Sequence, residues 1–179
     1  SPYEKHALEA EFAVFGSFSL PRVTERVSDT ITHLIHPKQI TFHSFSLLAF
    51  ATLRNLFPDK EDCLLVDVSG EQTELSVVKK AVLVETVTFP FGRIHLIREL
   101  KESVSVPAGG VPAFFKLYAE ENGTGRLYER VKKSLGEGLG RWRERLLKAL
   151  SGFSEEMFLP QTVFLTADDD ILPLLGKAL

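Results

Sequence analysis

Apolar and polar positions change their period several times along this chain, and each change marks an element. From Glu11 to Ser19 (EFAVFGSFS) aromatic residues roughly alternate with small or polar ones, which predicts a strand. Pro21–His36 follows a helical period, with Val23, Val27, Ile31, Leu34 and Ile35 on one face, Pro21 in the first turn and Pro37 as the stop. Gln39–His43 predicts a brief strand, and Ser44 is placed to cap a helix over Phe45–Phe57. After a polar turn come three strand-like runs, Leu64–Val68, Gln72–Val78 and Ala81–Thr88. Helical patterns then cover Gly92–Leu100 and Pro112–Glu121, separated by a loop candidate from Ser103 to Gly110.

Arg126–Leu150 reads as a long amphipathic helix, its stripe made by Leu127, Val131, Leu135, Leu139, Trp142, Leu146 and Leu150. Gly136, Gly138 and Gly140 in its middle each weaken it by about 1 kcal/mol relative to alanine, which predicts a kink or close packing there. Thr162–Thr166 is a last strand and Ile171–Leu179 a last helix. Interleaved strands and helices predict an α/β class with a mixed sheet covered by helices. The β-β-β run makes part of that sheet antiparallel, and neither G-x-G-x-x-G nor a P-loop is present, so a plain Rossmann fold is excluded.

Composition narrows the class only a little. With 179 residues, 44% apolar and 25% charged, the chain is an ordinary globular length and mixture. A formal net charge of −3 gives no electrostatic reason for nucleic acid as a partner. The single cysteine, Cys63, leads into an apolar strand and reads as a buried thiol, as expected in a reducing compartment. No apolar run reaches the length of a membrane span, and Ser1–Lys5 lacks the order of a signal peptide. A cytoplasmic protein is the expectation.

The segment Leu64–Arg98 carries the most specific pattern. A strand ends in Asp67-Val68-Ser69-Gly70, a threonine-containing strand follows, and Pro90-Phe91-Gly92 opens the next helix. This resembles the second phosphate-binding hairpin of the actin/DnaK-type ATPase superfamily, and within it the FtsA/PilM branch. There the hairpin has an Asp, a hydrophobic residue, two glycines, a variable residue and two threonines. Pro21–Leu56 is similar to the helix–strand–helix that precedes it, and Pro160–Leu179 stands where the branch has a strand, an adenosine turn and a helix with a central proline. The resemblance implies one actin-like, RNase H-like lobe over 1–179, belonging to a longer protein, with a loop or insertion at 103–125. The implied sheet is mixed and five-stranded, with antiparallel hairpins and flanking helices.

Carried over residue by residue, the resemblance places Asp67 at the acidic position that serves Mg²⁺ or its waters, Gly70 at the second glycine and Thr73 at the second threonine. Ser69 replaces the first glycine, Glu71 takes the variable position, Gln72 replaces the first threonine, and Glu74 stands where Asp is usual. A Cβ at Ser69 restricts close backbone approach to a phosphate, and Glu71 adds like charge. At the adenosine turn, Ala167 and Asp168 replace a Gly-Gly pair, inside the run Asp168-Asp169-Asp170. These carboxylates read either as a hard-cation site or, the favoured reading, as Asp170 and its neighbours capping the last helix. Nothing in residues 1–62 resembles the family's first phosphate loop.

Two further groupings carry less. His33, His36 and His43 could be imagined around a metal, but a helix-end histidine is favoured by the helix dipole without one. Lys132, Lys133, Arg141, Arg143, Arg145 and Lys148 give the long helix a basic face beside Trp142, and interspersed Glu129, Glu137 and Glu144 favour a solvated face over a lipid-binding one. The resulting expectation is a pseudo-ATPase: a non-catalytic actin-like scaffold or adaptor of a bacterial envelope assembly (type IV pilus, secretion or cell division), without a cofactor. Its partners would be other protein components and a second copy of itself. It would use no nucleic acid, and it would reach the inner face of the membrane only indirectly. Two alternatives stay open: the second lobe of an active ATPase that binds ATP and Mg²⁺, and a self-contained interaction domain.

Overall fold

The computed structural model describes residues 14, 16–107, 109–153 and 159–179. Backbone proximity divides the chain into two compact units, Ser1–Pro58 and Asp59–Leu179.

In the first unit, α1 (Pro21–Ile35) starts on Pro21, and Thr24 Oγ1 donates to Pro21 O at 2.9 Å. It ends at His36, whose left-handed φ of 42° turns the chain before Pro37. The expected apolar face forms a helix, yet Val23, Val27, Leu34 and Ile35 are exposed. Helix α2 (Phe45–Leu56) begins as the sequence predicts, with Ser44 Oγ accepting from Leu47 N–H at 3.3 Å. The strand expected over Gln39–His43 is absent: the stretch has no regular structure. Five β-prone residues form a strand only with a ladder partner, and among the described residues none pairs here. Of the strand expected over Glu11–Ser19, positions 11–13 and 15 lie outside the described residues, and Gly16–Ser19 is irregular.

The second unit holds a four-stranded sheet, not the five-stranded one expected, in the order β3-β2-β1-β4. Strands β1 (Cys63–Val68), β2 (Thr73–Lys79) and β3 (Val82–Phe89) form an antiparallel meander, and β4 (Val163–Ala167) runs parallel to β1. Between β3 and β4 the chain passes through α3 (Arg93–Ser103), α4 (Val111–Glu120) and α5 (Gly125–Leu150), and α6 (Leu172–Ala178) follows β4. Central β1 is buried almost throughout, which is why it reads as an unbroken apolar run. Its Leu64, Val66 and Val68 join Leu75 and Val77 of β2 in one core with Leu96, Leu100, Phe115, Leu135, Trp142 and Leu174 from the helices.

Two features were invisible to periodicity. The β2–β3 turn places Lys80 and Ala81 at φ of 49° and 58°, a two-residue turn with both central residues left-handed and neither of them glycine or asparagine. Asp62 Oδ1 accepts from Lys80 N–H at 2.7 Å and Glu61 O from Ala81 N–H at 2.9 Å, which holds the turn in place. On α5 the buried stripe starts at Tyr128, whereas Leu127 is exposed. Only one of the three glycines there answers to core packing. A Cβ on Gly138 would collide with Glu99 Oε2 and lie 2.9 Å from Leu96 Cδ2.

Candidate functional site

The β1–β2 hairpin turn lies at the carboxyl ends of the parallel strands β1 and β4, the edge of an α/β sheet where ligands usually sit. The ladder closes with Asp67 opposite Glu74 and Val68 opposite Thr73. Ser69 N–H and Ser69 Oγ–H both donate to Gln72 O, at 2.9 and 3.0 Å, so the turn is tied across its own mouth.

The outer side of that turn is consumed by α3. A helix N-terminus has free N–H groups, and here Arg93 N–H donates to Ser69 O at 2.9 Å and Ile94 N–H to Gly70 O at 2.8 Å. The approach is so close that a Cβ on Gly92 would collide with Ser69 O and lie 2.7 Å from both Gln72 N and Gly70 O. Gly92 N–H itself donates to His95 Nδ1 at 3.2 Å, and the His95 ring stacks on Phe91 with centroids 4.9 Å apart. Glu71 turns away to Arg98, Nη2 to Oε1 at 2.8 Å.

Thr73 faces the core. It is fully buried; its hydroxyl donates to Phe91 O at 2.6 Å and accepts from Trp142 Nε1–H at 3.0 Å. A hydroxyl has one proton to give, and this one is given to the main chain. Trp142 is therefore a core residue, as its place in the apolar stripe of α5 predicts, although the sequence also set it beside the basic face. Two cations of that face are also engaged: Arg141 pairs with Glu99 at 2.7 Å, and Arg145 donates to Pro90 O at 2.7 Å while lying over the Phe91 ring.

Asp67 and the residues expected at the adenosine turn meet across β1 and β4. Thr166 Oγ1–H donates to Asp67 Oδ1 at 2.7 Å, as their register requires. Ala167 ends β4 against the core, and Asp168 O accepts from Ile171 and Leu172 N–H, at 3.1 Å each. The expected cap on the last helix is absent. Ile171 holds the N-cap position with no side-chain bond, and Asp170 instead forms a bidentate pair with Arg93, Nε to Oδ1 at 2.9 Å and Nη2 to Oδ2 at 2.6 Å. Asp168 Oδ2 adds a contact to Arg93 Nε at 3.3 Å, and Asp169 is exposed. The Asp170 hydrogen bond raises the Arg93 pKa; burial opposes it, and the Asp170 and Asp168 charges add to it.

The structure thus gathers Asp67, Ser69, Gly70, Thr73 and Asp168 at one sheet end, and adds Arg93 and Trp142, which sequence reasoning missed. Signals for both exist. An arginine in the first turn of a helix opposes the dipole and so calls for a carboxylate, and a tryptophan in a buried stripe needs an acceptor. Among the described residues, no three His, Cys, Asp or Glu side chains converge as metal ligands, and no helix is long and apolar enough to cross a membrane.

No protein-family model and no curated protein matches the sequence. Solved structures do. The chain is similar to the ethanolamine utilization protein EutJ from Carboxydothermus hydrogenoformans, with a TM-score of 0.52 and 18% identity over 72% of this chain and 43% of that one. It also matches a PilM–PilN type IV pilus biogenesis complex, at 0.47 and 14% over 73% and 38%, and a Ppx/GppA family protein from Aquifex aeolicus, at 0.33 and 17% over 54% and 32%. The chain therefore spans less than half the length of the EutJ structure. At these identities the likeness concerns fold alone, and the fold is the one that the hairpin residues implied: an α/β sheet of the actin-like ATPase type.

Proposed function

We propose that this chain is part of a non-catalytic actin-like adaptor, one that keeps the nucleotide-site architecture as a structural joint and works by binding other proteins of a bacterial envelope assembly. The observation that carries this reading is the fate of the hairpin's polar groups. The Thr73 hydroxyl donates within the core, the Arg93 and Ile94 N–H groups of α3 are given to the Ser69 and Gly70 carbonyls, and the Arg93 guanidinium clasps Asp170 and Asp168. A phosphate would have to compete with these internal bonds, and at buried Thr73 the displacement would leave a buried group unpaired at a cost of about 1–3 kcal/mol. The resemblance of Leu64–Arg98 to the FtsA/PilM branch motivates the assembly, a type IV pilus, secretion or division machine. It also motivates a place at the cytoplasmic face of the membrane, held there by partners.

The test is isothermal titration of the full-length protein with Mg-ATP. The expected result is no saturable heat up to about millimolar nucleotide, and an affinity of about 1 μM would sink the proposal in favour of a working ATPase lobe.

A further inference from the structure

A cleft of about 360 Å³ opens between the end of α4, the middle of α5 and the end of α6, within the second unit and away from the hairpin. Gly136 and Gly140, one helical turn apart, both line it. A Cβ on Gly140 would meet nothing within 4 Å, and one on Gly136 only Tyr118 Oη at 3.7 Å. Core packing explains Gly138 and leaves these two unexplained. Each weakens α5, and each leaves backbone open to close approach from outside.

The cleft is also positive. Lys132, Arg143 and Lys177 line it with a single acid, Glu121. Glu121 is already bound by Lys177 at 2.8 Å, a hydrogen bond that, with the charges of Lys177 and then Lys132, holds its carboxyl below the usual carboxylate range. Lys132 and Arg143 form no salt bridge among the described residues. Two positive charges are therefore in excess on a chain whose formal net charge is −3. Lys132 and Arg143 stand on one helix, eleven residues apart, which places their backbones about 16 Å apart and within about 20° of the same azimuth. A small anion meets both only if the two side chains converge on it. An extended peptide of about five residues spans that length.

We infer that this cleft binds an acidic, extended segment of a partner protein, with carboxylates toward Lys132 and Arg143 and an apolar side chain between them over Gly136 and Gly140. This rests on the adaptor reading and names the partner's chemistry.

The test uses fluorescence anisotropy on the full-length protein, with a labelled peptide of alternating glutamate and leucine about seven residues long. A lysine–leucine twin and free citrate serve as comparisons. The acidic peptide should bind saturably and the basic twin should not. Binding should weaken about tenfold or more in the double variant Lys132→Glu, Arg143→Glu and in Gly140→Leu. Gly140→Leu should melt at or above the unaltered protein, so that its loss of binding reports a filled cleft and not unfolding. No saturable binding, equal binding by every variant, or displacement by citrate at matching concentration would each overturn the inference. If the peptide fails and Mg-ATP also fails to bind, the cleft proposal falls and the adaptor reading stands. If Mg-ATP binds tightly, the adaptor reading falls whatever the peptide does.

Discussion

The β1–β2 hairpin and the α4–α5–α6 cleft draw on the same residue types and use them in opposite ways. At the hairpin, Gly92 is required because three backbone atoms of the turn stand where its Cβ would go, and Arg93 is consumed by Asp170 and Asp168. At the cleft, Gly140 faces open space and Gly136 meets only Tyr118 Oη, and Lys132 and Arg143 lack salt-bridge partners among the described residues. Polar and glycine-rich chemistry satisfied from within maintains a fold. The same chemistry left open is available to something outside it.

The sharpest way to break this contrast is Gly92→Ala. A methyl group there must displace backbone, so the expected loss is at least about 3 kcal/mol in urea unfolding, and a near-neutral result would mean that the hairpin–helix contact is looser than described. Thr73→Val comes next. It strands the Trp142 N–H and the Phe91 carbonyl in the core, an expected loss of about 2–3 kcal/mol. Trp142 is the single tryptophan, so its emission should change with the lost hydrogen bond. A Thr73→Val protein of unchanged stability would return that threonine to a ligand role.

Gly140→Ala carries the opposite sign: with nothing within 4 Å, it should stabilise by about 1 kcal/mol, read as a rise of about 2–4 °C in Tm. A loss there would show that the cleft floor is filled from within. The smallest effect concerns pH. Burial, then the Asp62 charge, raises the Cys63 thiol above its ordinary value, so the folded state disfavours the thiolate. A group raised on folding stabilises fully below its unfolded pKa and loses that contribution as pH rises through the folded value. Unfolding free energy should therefore fall from about pH 8 upward more steeply in the unaltered protein than in Cys63→Ala.

Much of the second unit was legible before any coordinates. The meander Leu64–Thr88, the helices around Arg126–Leu150 and the last strand at Thr162–Thr166 all fall within a residue or two of their expected bounds, although that last strand, expected to be buried, is half-exposed. Failures were of two kinds. Gln39–His43 had strand-forming residues but, among the described residues, no neighbour to pair with, and the described sheet has four strands. Asp170 had the right type and place to cap a helix, but a guanidinium from 77 residues away reached it first. At the turn of Lys80 and Ala81 local propensity was overruled altogether, because Asp62 and Glu61 supply the hydrogen bonds that hold two non-glycine residues at positive φ.

What the sequence by itself determined is the order and type of most of the elements in the second unit. Burial period, capping residues and turn residues act over a few positions and are written in neighbours. Which polar groups are free was decided only in three dimensions. Thr73 meets Trp142 across 69 residues, and Gly140 differs from Gly138 only by the side of the helix it faces. A hydrogen-bond partner or an empty space belongs to the packed molecule, and the linear pattern gives the residue without its surroundings.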